Sequence, residues 1–115
     1  MECKPLPFRE EMKKLYREIA AVTCRGRKRD DPLRIYLKWT KEEMMAASLV
    51  VAMTVDEKEL RDLFMLFYKN LHLTASVLFR LGMRGDVAVA DICGFLRRCT
   101  EVQCSIFTCY REYSI

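Results

Sequence analysis

Glycine and proline are scarce in this chain, since only four glycines and three prolines occur among 115 residues. Both residues break helices, and chains rich in them form linkers, disordered segments or fibres. Their scarcity, together with a hydrophobic content of 51%, predicts a globular protein that is helical throughout. A chain of this length suits one domain, so we expect a single helical domain over residues 1–115, with a short tail at 1–6 and a basic loop at 25–31.

Histidine is scarcer still, because His72 is the only one in the sequence. Nucleophilic catalysis commonly pairs a serine or cysteine with a histidine base that a third group orients. His72 stands between Leu71 and Leu73, a setting typical of a helix histidine whose hydrogen bonds are satisfied locally. The sequence also lacks a glycine-rich phosphate loop. We therefore expect no enzymatic activity and no cofactor.

Long apolar runs are missing as well. The longest, MMAASLVVAM at residues 44–53, is ten residues long and includes one serine, whereas a membrane-spanning helix needs about 20. The N-terminal stretch MECKPLPFREEMKK is charged and has no apolar core of the kind that a signal peptide carries. These features predict an intracellular, cytoplasmic protein without a membrane span, and the basic loop leaves a nuclear location open.

Cysteine, in contrast, is plentiful, and its six positions are Cys3, Cys24, Cys93, Cys99, Cys104 and Cys109. An even number is compatible with a secreted disulfide framework, but the chain is apolar enough not to need one and lacks an export signal. The spacing contains no C-x-x-C or similar short chelate of the kind that zinc favours. We expect reduced, mostly buried thiols and no metal site.

Apolar residues recur at three- and four-residue steps, which is the period of an amphipathic helix. The first predicted helix spans residues 7–23, and its apolar face consists of Phe8, Met12, Leu15, Tyr16, Ile19 and Val22. Asp31 and Pro32 predict the start of the next helix, because aspartate caps helices and proline fits their first turn. Gly82 and Gly85 predict a corner between two later helices, with Asp86 as the N-cap of the second.

Capping-box spacing, a threonine followed three residues later by Glu or Gln, predicts three further helix starts. The pairs are Thr40 with Glu43, Thr54 with Glu57, and Thr100 with Gln103. The expected fold is therefore all-α, a compact bundle of five or six short helices around a central apolar hairpin. Its short connections predict antiparallel neighbours.

The charge is distributed unevenly along the chain. Residues 1–41 contain 12 Lys/Arg and 6 Asp/Glu, whereas residues 42–115 contain 8 and 10. A basic front half can attract an anionic partner. One predicted function is therefore a nucleic-acid-binding accessory protein, whose anion-binding residues would be Lys13, Lys14, Arg17, Arg25, Arg27, Lys28 and Arg29.

Two of the predicted helices are apolar on nearly every side. Phe64, Met65, Phe67 and Tyr68 almost encircle one of them, and Ile106, Phe107 and Tyr110 do so on another. Such a helix is either central in a protein or lies at a partner interface. Two of them in a small chain suggest a binding groove or a dimer face, and ordinary core packing is an equal alternative.

The stretch LFRLGMRGDVAVADICGF, residues 78–95, resembles the first homology motif of the Bcl-type apoptosis-regulator family, including its compact viral relatives. In that family a helix ends in Leu-Phe-x-x-Gly, a polar corner follows, and the next helix contains Val-Ala. Leu78, Phe79 and Gly82 match the first part, and Val89 with Ala90 matches the second.

The corner itself departs from the family pattern. RGDV at residues 84–87 replaces the family's Asn-Trp-Gly-Arg, so that Val87 stands where an arginine would pair with a partner's aspartate, unless Arg84 substitutes for it. The resemblance implies a non-enzymatic interaction module that regulates host apoptosis or innate immune signalling. Its partner would be a helical segment or a second copy in a homodimer, and its groove residues would be Leu60, Phe64, Phe67, Leu78, Phe79, Arg84 and Val89.

Overall fold

The structure, a computed structural model, describes residues 8–54 and 56–113. These residues form four α-helices and no strand. The helices are α1 (Arg9–Thr23), α2 (Pro32–Val51), α3 (Glu57–Arg84) and α4 (Val89–Tyr113). The all-α class is thus confirmed, whereas the expected five or six helices are wrong. Residues 1–6, the predicted tail, and Pro7, the predicted helix start, lie outside the described residues.

Helices α2 and α4 run through the positions where new helices were expected to start. The Thr40 hydroxyl donates to the Tyr36 carbonyl at 2.8 Å, and the Thr100 hydroxyl donates to the Leu96 carbonyl at 3.1 Å. Each threonine therefore bonds back to a carbonyl four residues earlier in its own helix instead of capping a new one. This is why two long helices replace four predicted short ones.

Aspartates cap the two middle helices. Asp31 precedes α2, as expected, and its carboxylate accepts a hydrogen bond from the Leu33 amide at 2.9 Å. Asp56, not Thr54, caps α3, and its carboxylate accepts from the Lys58 amide at 2.8 Å. Aspartate is a stronger cap than threonine, so the capping-box prediction at Thr54 was wrong by two residues.

The corner between α3 and α4 contains both predicted glycines in different roles. Gly85 ends α3 with a left-handed φ of 76°, which glycine adopts without strain. Asp86 does not start α4, because that helix begins only at Val89. Gly82 lies inside α3, where a Cβ atom would stand only 3.1 Å from Cγ1 of Ile92. The absence of a side chain at Gly82 therefore lets α3 and α4 approach closely.

The four helices form a ring in which each contacts the next and α4 returns to α1. The connections at 24–31, 52–56 and 85–88 are short, so neighbouring helices are antiparallel. The extents of 46 × 26 × 20 Å reflect the length of α3 and α4. The predicted central hairpin forms one side of this ring and leaves its outer face uncovered. Inside, the ring of Phe8 packs edge-on against Phe67 at 5.3 Å, and Phe67 packs against Phe64 at 5.6 Å.

Candidate interaction surfaces

Most of the residues predicted to line a groove lie in the core. Leu60, Phe67 and Leu78 are buried, because α1 and α2 cover the side of α3 that carries them. They cannot line a surface groove, and that expectation is corrected. Phe64 is buried too, although it forms the floor of a small surface cavity.

Three other groove residues are exposed, but they do not share one surface. Phe79 and Val89 are 55% and 66% exposed near the α3–α4 corner. Arg84 is exposed on the other side of α3, where it lines a hollow with Tyr36 of α2 and Asp86. The structure therefore separates Arg84 from the exposed apolar residues with which the sequence grouped it.

The outer surface of α3 and α4 carries a largely apolar stripe, interrupted by His72, Ser76 and Thr100, that we call the α3/α4 face. Its residues recur at steps of three, four or seven, the spacing of one helix face. On α3 they are Met65, Tyr68, His72, Ser76, Phe79 and Met83, and on α4 they are Val89, Cys93, Thr100, Cys104 and Phe107. Antiparallel packing places the two rows side by side, since the rings of Tyr68 and Phe107 lie 5.5 Å apart.

A small cavity of about 60 Å³ opens at the end of the α3/α4 face that contains Met65 and Phe107. Apart from Arg61, its lining consists of apolar and aromatic side chains, namely Phe64, Met65, Tyr68, Ile106, Phe107 and Tyr110. The rings of Phe64 and Tyr110 lie 5.3 Å apart beneath it. Arg61 closes one edge, where a hydrogen bond with Tyr110 raises the pKa of its guanidinium. An aromatic-lined recess of this size suits one aliphatic side chain of a partner.

A second, shallower hollow lies on the same side of α3, nearer the corner between α3 and α4. Its lining residues are His72, Ala75, Ser76, Phe79 and Arg80, and its volume is about 370 Å³. The His72 ring is exposed and stacks on Tyr68 with centroids 6.2 Å apart. The two hollows thus follow one line along α3, as the anchor pockets of a helix-binding groove do.

Positive charge flanks this apolar stripe. Lys69 and Arg80 on α3 and Arg97 on α4 are exposed. Helix α3 contains no Asp or Glu from residue 63 to residue 84. At the N-terminal end of α3, Glu57 is paired with Arg61 at 3.8 Å. The part of the α3/α4 face nearer the α3–α4 corner is therefore bordered by cations.

The acids of α4 are Asp91, Glu101 and Glu112, and Glu101 lines a hollow between α1 and α4. Asp91 and Glu112 are spaced seven residues from Arg98 and Ser105, which both contact α1. Because seven residues are close to two helical turns, all four lie on the side that faces α1. Their negative charge therefore does not border the α3/α4 face.

The predicted anion-binding residues are also divided by the structure. Lys28 and Arg29 are exposed in the loop and Lys13 is half-buried on α1, whereas Lys14 lines a hollow between α1 and α4. Arg27 is held internally, since its Nη1 atom pairs with Asp31 at 3.3 Å.

Arg17 and Arg25, in contrast, line a cleft between α1 and α2 together with Arg34, Lys38 and Lys41. The last three were missed from the sequence, although their spacing of four and three residues predicts one cationic helix face.

The described cysteines are divided between the core and the surface. Of the five described cysteines, Cys24, Cys99 and Cys109 are buried, and Cys93 and Cys104 are exposed. Burial raises the pKa of Cys99 to about 11, which keeps its thiol protonated at neutral pH. Within residues 8–54 and 56–113, His, Cys, Asp and Glu form no group of three that could hold a metal ion.

Every helix in the described part of the chain falls short of the length and apolarity needed to cross a bilayer. No protein-family model matches the chain, and neither a curated protein nor a solved structure matches it. The resemblance of residues 78–95 to the Bcl-type family therefore stays a prediction.

Proposed function

We propose that this protein is a non-enzymatic protein–protein interaction module, and that its α3/α4 face binds an acidic amphipathic helix of another protein. The exposed apolar stripe at helical spacing carries the proposal. Met83, Val89, Phe79 and Phe107 are each more than half exposed, and several large apolar side chains exposed on one face usually mark an interaction site. A helix laid along two antiparallel helices would cover both rows of the stripe.

The charge around the face favours an acidic partner over a second copy of the chain. In a symmetric dimer through this face, the rim cations Lys69, Arg80 and Arg97 of one copy would face the cationic rim of the other, and like charges in contact are unfavourable. Glutamates flanking the apolar side of a partner helix would instead pair with them. For this reason we favour a different protein as the partner over the homodimer that the sequence suggested.

The resemblance to Bcl-type regulators supports the same mode of binding, in which a helix occupies a groove, and a role in apoptosis or immune signalling remains a prediction from it. Arg84 is a poor candidate for the arginine that pairs with a partner's aspartate, since it lines a hollow on the α2 side. Arg80 lines the hollow that contains Phe79, so we assign that pairing to Arg80.

A binding measurement with defined peptides tests the proposal. The probe is a fluorescein-labelled amphipathic peptide with leucines on one face and glutamates on the other, followed by fluorescence anisotropy. Truncating two exposed apolar side chains together, Phe79→Ala with Met83→Ala, should weaken binding roughly tenfold or more, because a few large apolar side chains contribute most of the binding energy of an interface. Reversing a rim charge, Arg80→Glu, should weaken it several-fold.

Matched controls distinguish specific binding at the α3/α4 face from nonspecific hydrophobic binding and from misfolding of a variant. Trp39→Ala removes a side chain that is 71% exposed on α2 and should leave binding unchanged, as should Arg29→Glu in the loop. A peptide with lysine in place of glutamate should bind far more weakly. Equal losses in Trp39→Ala and the Phe79/Met83 double variant would contradict the proposal, as would a salt-resistant dimer in light scattering. Thermal melts should show that all variants fold, since every changed side chain is exposed.

A further inference from the structure

We infer that the cleft between α1 and α2 binds the phosphodiester backbone of a nucleic acid, at a second site separate from the α3/α4 face. This α1/α2 cleft has a volume of about 380 Å³. Its lining residues are Tyr16, Arg17, Ala20, Ala21, Cys24, Arg25, Arg34, Leu37, Lys38 and Lys41. Five of these ten side chains are cationic and none is acidic.

Cations stand on both walls of the α1/α2 cleft. Arg17 and Arg25 come from α1 and the residues just after it, and Arg34, Lys38 and Lys41 come from α2. The structure contains no ion pair for any of these five among the described residues. Like charges facing each other across a cleft repel, and an anion bound between them relieves that repulsion.

Two of the three acids of α1, Glu11 and Glu18, lie on the other side of that helix. Glu18 forms an ion pair with Arg98 of α4. The Glu11 carboxylate accepts a hydrogen bond from the Ser105 hydroxyl of α4 at 3.2 Å. These contacts hold both carboxylates toward α4 and away from the cleft. The third acid of α1, Glu10, pairs with its neighbour Arg9 and lies two turns before Arg17, outside the lining of the cleft. The lining of the cleft thus contains cations and no acid, and Glu42, four residues after Lys38 on α2, lies outside it.

Arg34 is held in position at the end of the α1/α2 cleft. Its Nη2 atom donates to the Cys24 carbonyl at 2.8 Å and to the Arg27 carbonyl at 3.2 Å. A guanidinium has five N–H donors, so this arrangement fixes the side chain and leaves other donors for a phosphate. A cation that is already ordered loses less conformational entropy when it binds.

The floor of the α1/α2 cleft favours recognition of phosphates over bases. Ala20 and Ala21 are small and allow a strand to approach, and Leu37 is buried. Tyr16, the only aromatic residue in the lining, is 1% exposed, and its hydroxyl lies 3.0 Å from that of Thr74. It cannot stack on a base, whereas binding of unpaired bases depends on exposed aromatic rings. We therefore expect binding that is independent of base sequence.

The length of the α1/α2 cleft favours a polymer over a single phosphate. Arg34 and Lys41 are seven residues apart on α2, which corresponds to about 10 Å of helix. Along one nucleic-acid strand, a phosphate occurs about every 3.4 Å of axis, so roughly three would fit. Lys28 and Arg29 add two exposed cations in the adjoining loop, next to the exposed Asp30. A phosphate monoester or a lipid headgroup would fill only part of the cleft.

The test is anisotropy of a short fluorescein-labelled RNA duplex over a series of salt concentrations. Charge reversal in the cleft, Arg17→Glu with Lys38→Glu, should weaken binding at least roughly tenfold and lower the salt slope by about 2, since each phosphate contact contributes about 0.9. The matched control, Lys58→Glu with Lys69→Glu, makes the same change in net charge on α3 and should cost less than about twofold. The Phe79/Met83 double variant should bind RNA normally.

Several results would overturn the inference. Equal losses in the two charge-reversal variants would show a general effect of net charge, and an unchanged salt slope would exclude phosphate contacts. Binding to phosphatidylserine vesicles but not to RNA would assign the cleft to a membrane surface instead. If the charge-reversal variant fails to fold, the neutral version Arg17→Gln with Lys38→Gln replaces it, and the same loss of affinity and slope is required.

Discussion

Gly82 and Gly94 both lie inside long helices, yet they have different surroundings. At Gly82 a Cβ atom would meet Cγ1 and Cγ2 of Ile92 at 3.1 and 3.3 Å, whereas at Gly94 it would meet nothing within 4 Å. Ile92 is itself buried in the core, so it has little freedom to withdraw. The closest approach of α3 and α4 therefore depends on the missing side chain at Gly82.

Replacing each of these glycines by alanine should have opposite effects on stability. Gly94→Ala should raise the free energy of unfolding by about 0.5–1 kcal/mol, because alanine is the better helix former and the space is open. Gly82→Ala gains the same propensity but crowds Ile92, and we expect a net loss of about 1 kcal/mol. Urea unfolding followed by circular dichroism measures both. Equal stabilisation by the two changes would mean that α3 and α4 do not pack closely at Gly82.

The sequence predicted which residues share a face of a helix, but not what covers that face. Leu60, Phe64, Phe67 and Leu78 do lie on one side of α3, as their spacing requires. The ring of Phe8 packs against both Phe64 and Phe67, so this side belongs to the core. Spacing alone cannot distinguish a core face from a groove, because both are apolar and only long-range packing decides between them.

The N-cap of α3 is Asp56 rather than Thr54, because the Asp56 carboxylate accepts hydrogen bonds from free backbone amides in the first turn. The Asp56 carboxylate lies 2.8 Å from the Lys58 amide and 3.4 Å from the Glu59 amide. The Thr54 hydroxyl instead donates to the Val50 carbonyl at 2.9 Å, at the end of α2. The two side chains thus serve different helices, although they stand two residues apart.

Alanine substitutions at these two positions should separate their roles. Asp56→Ala should lower the free energy of unfolding by about 1 kcal/mol, since it removes an N-cap. Thr54→Ala removes only one exposed hydroxyl bond and should change stability by less than about 0.5 kcal/mol. Chemical denaturation of both variants, with the wild type in parallel, makes the comparison. A larger loss of unfolding free energy for Thr54→Ala than for Asp56→Ala would contradict this assignment and support the capping box that the sequence suggested.

The start of α2 was predictable because two independent signals, a capping aspartate and a first-turn proline, coincide at Asp31 and Pro32. The false starts at Thr40 and Thr100 each rested on one signal. A threonine followed by a glutamate or glutamine also occurs inside helices, where the hydroxyl bonds to its own backbone. The number of helices could therefore not be predicted from capping signals alone, since none of these positions has a glycine or proline that breaks the helix.

On the scale of the whole molecule, the two proposed surfaces lie on opposite sides of the ring. Helices α1 and α2 form one side with its cationic cleft, and α3 and α4 form the opposite side with its apolar face. The basic front half of the sequence predicted the first surface in outline, but not the contribution of Arg34, Lys38 and Lys41. The apolar helices predicted the second, although only folding shows which of their residues remain exposed. Opposite placement lets a nucleic acid and a protein helix bind at the same time.

Methionine-methyl NMR tests the central claim, that the α3/α4 face receives a helix, most directly. Met65 and Met83 are exposed on this face, about 27 Å apart along α3, whereas Met53 is 62% exposed at the end of α2. Titration with the leucine–glutamate peptide should shift the Met65 and Met83 methyl signals together and leave Met53 unchanged. Equal shifts at Met53, or no shifts at Met65 and Met83 at saturating peptide, would contradict the claim.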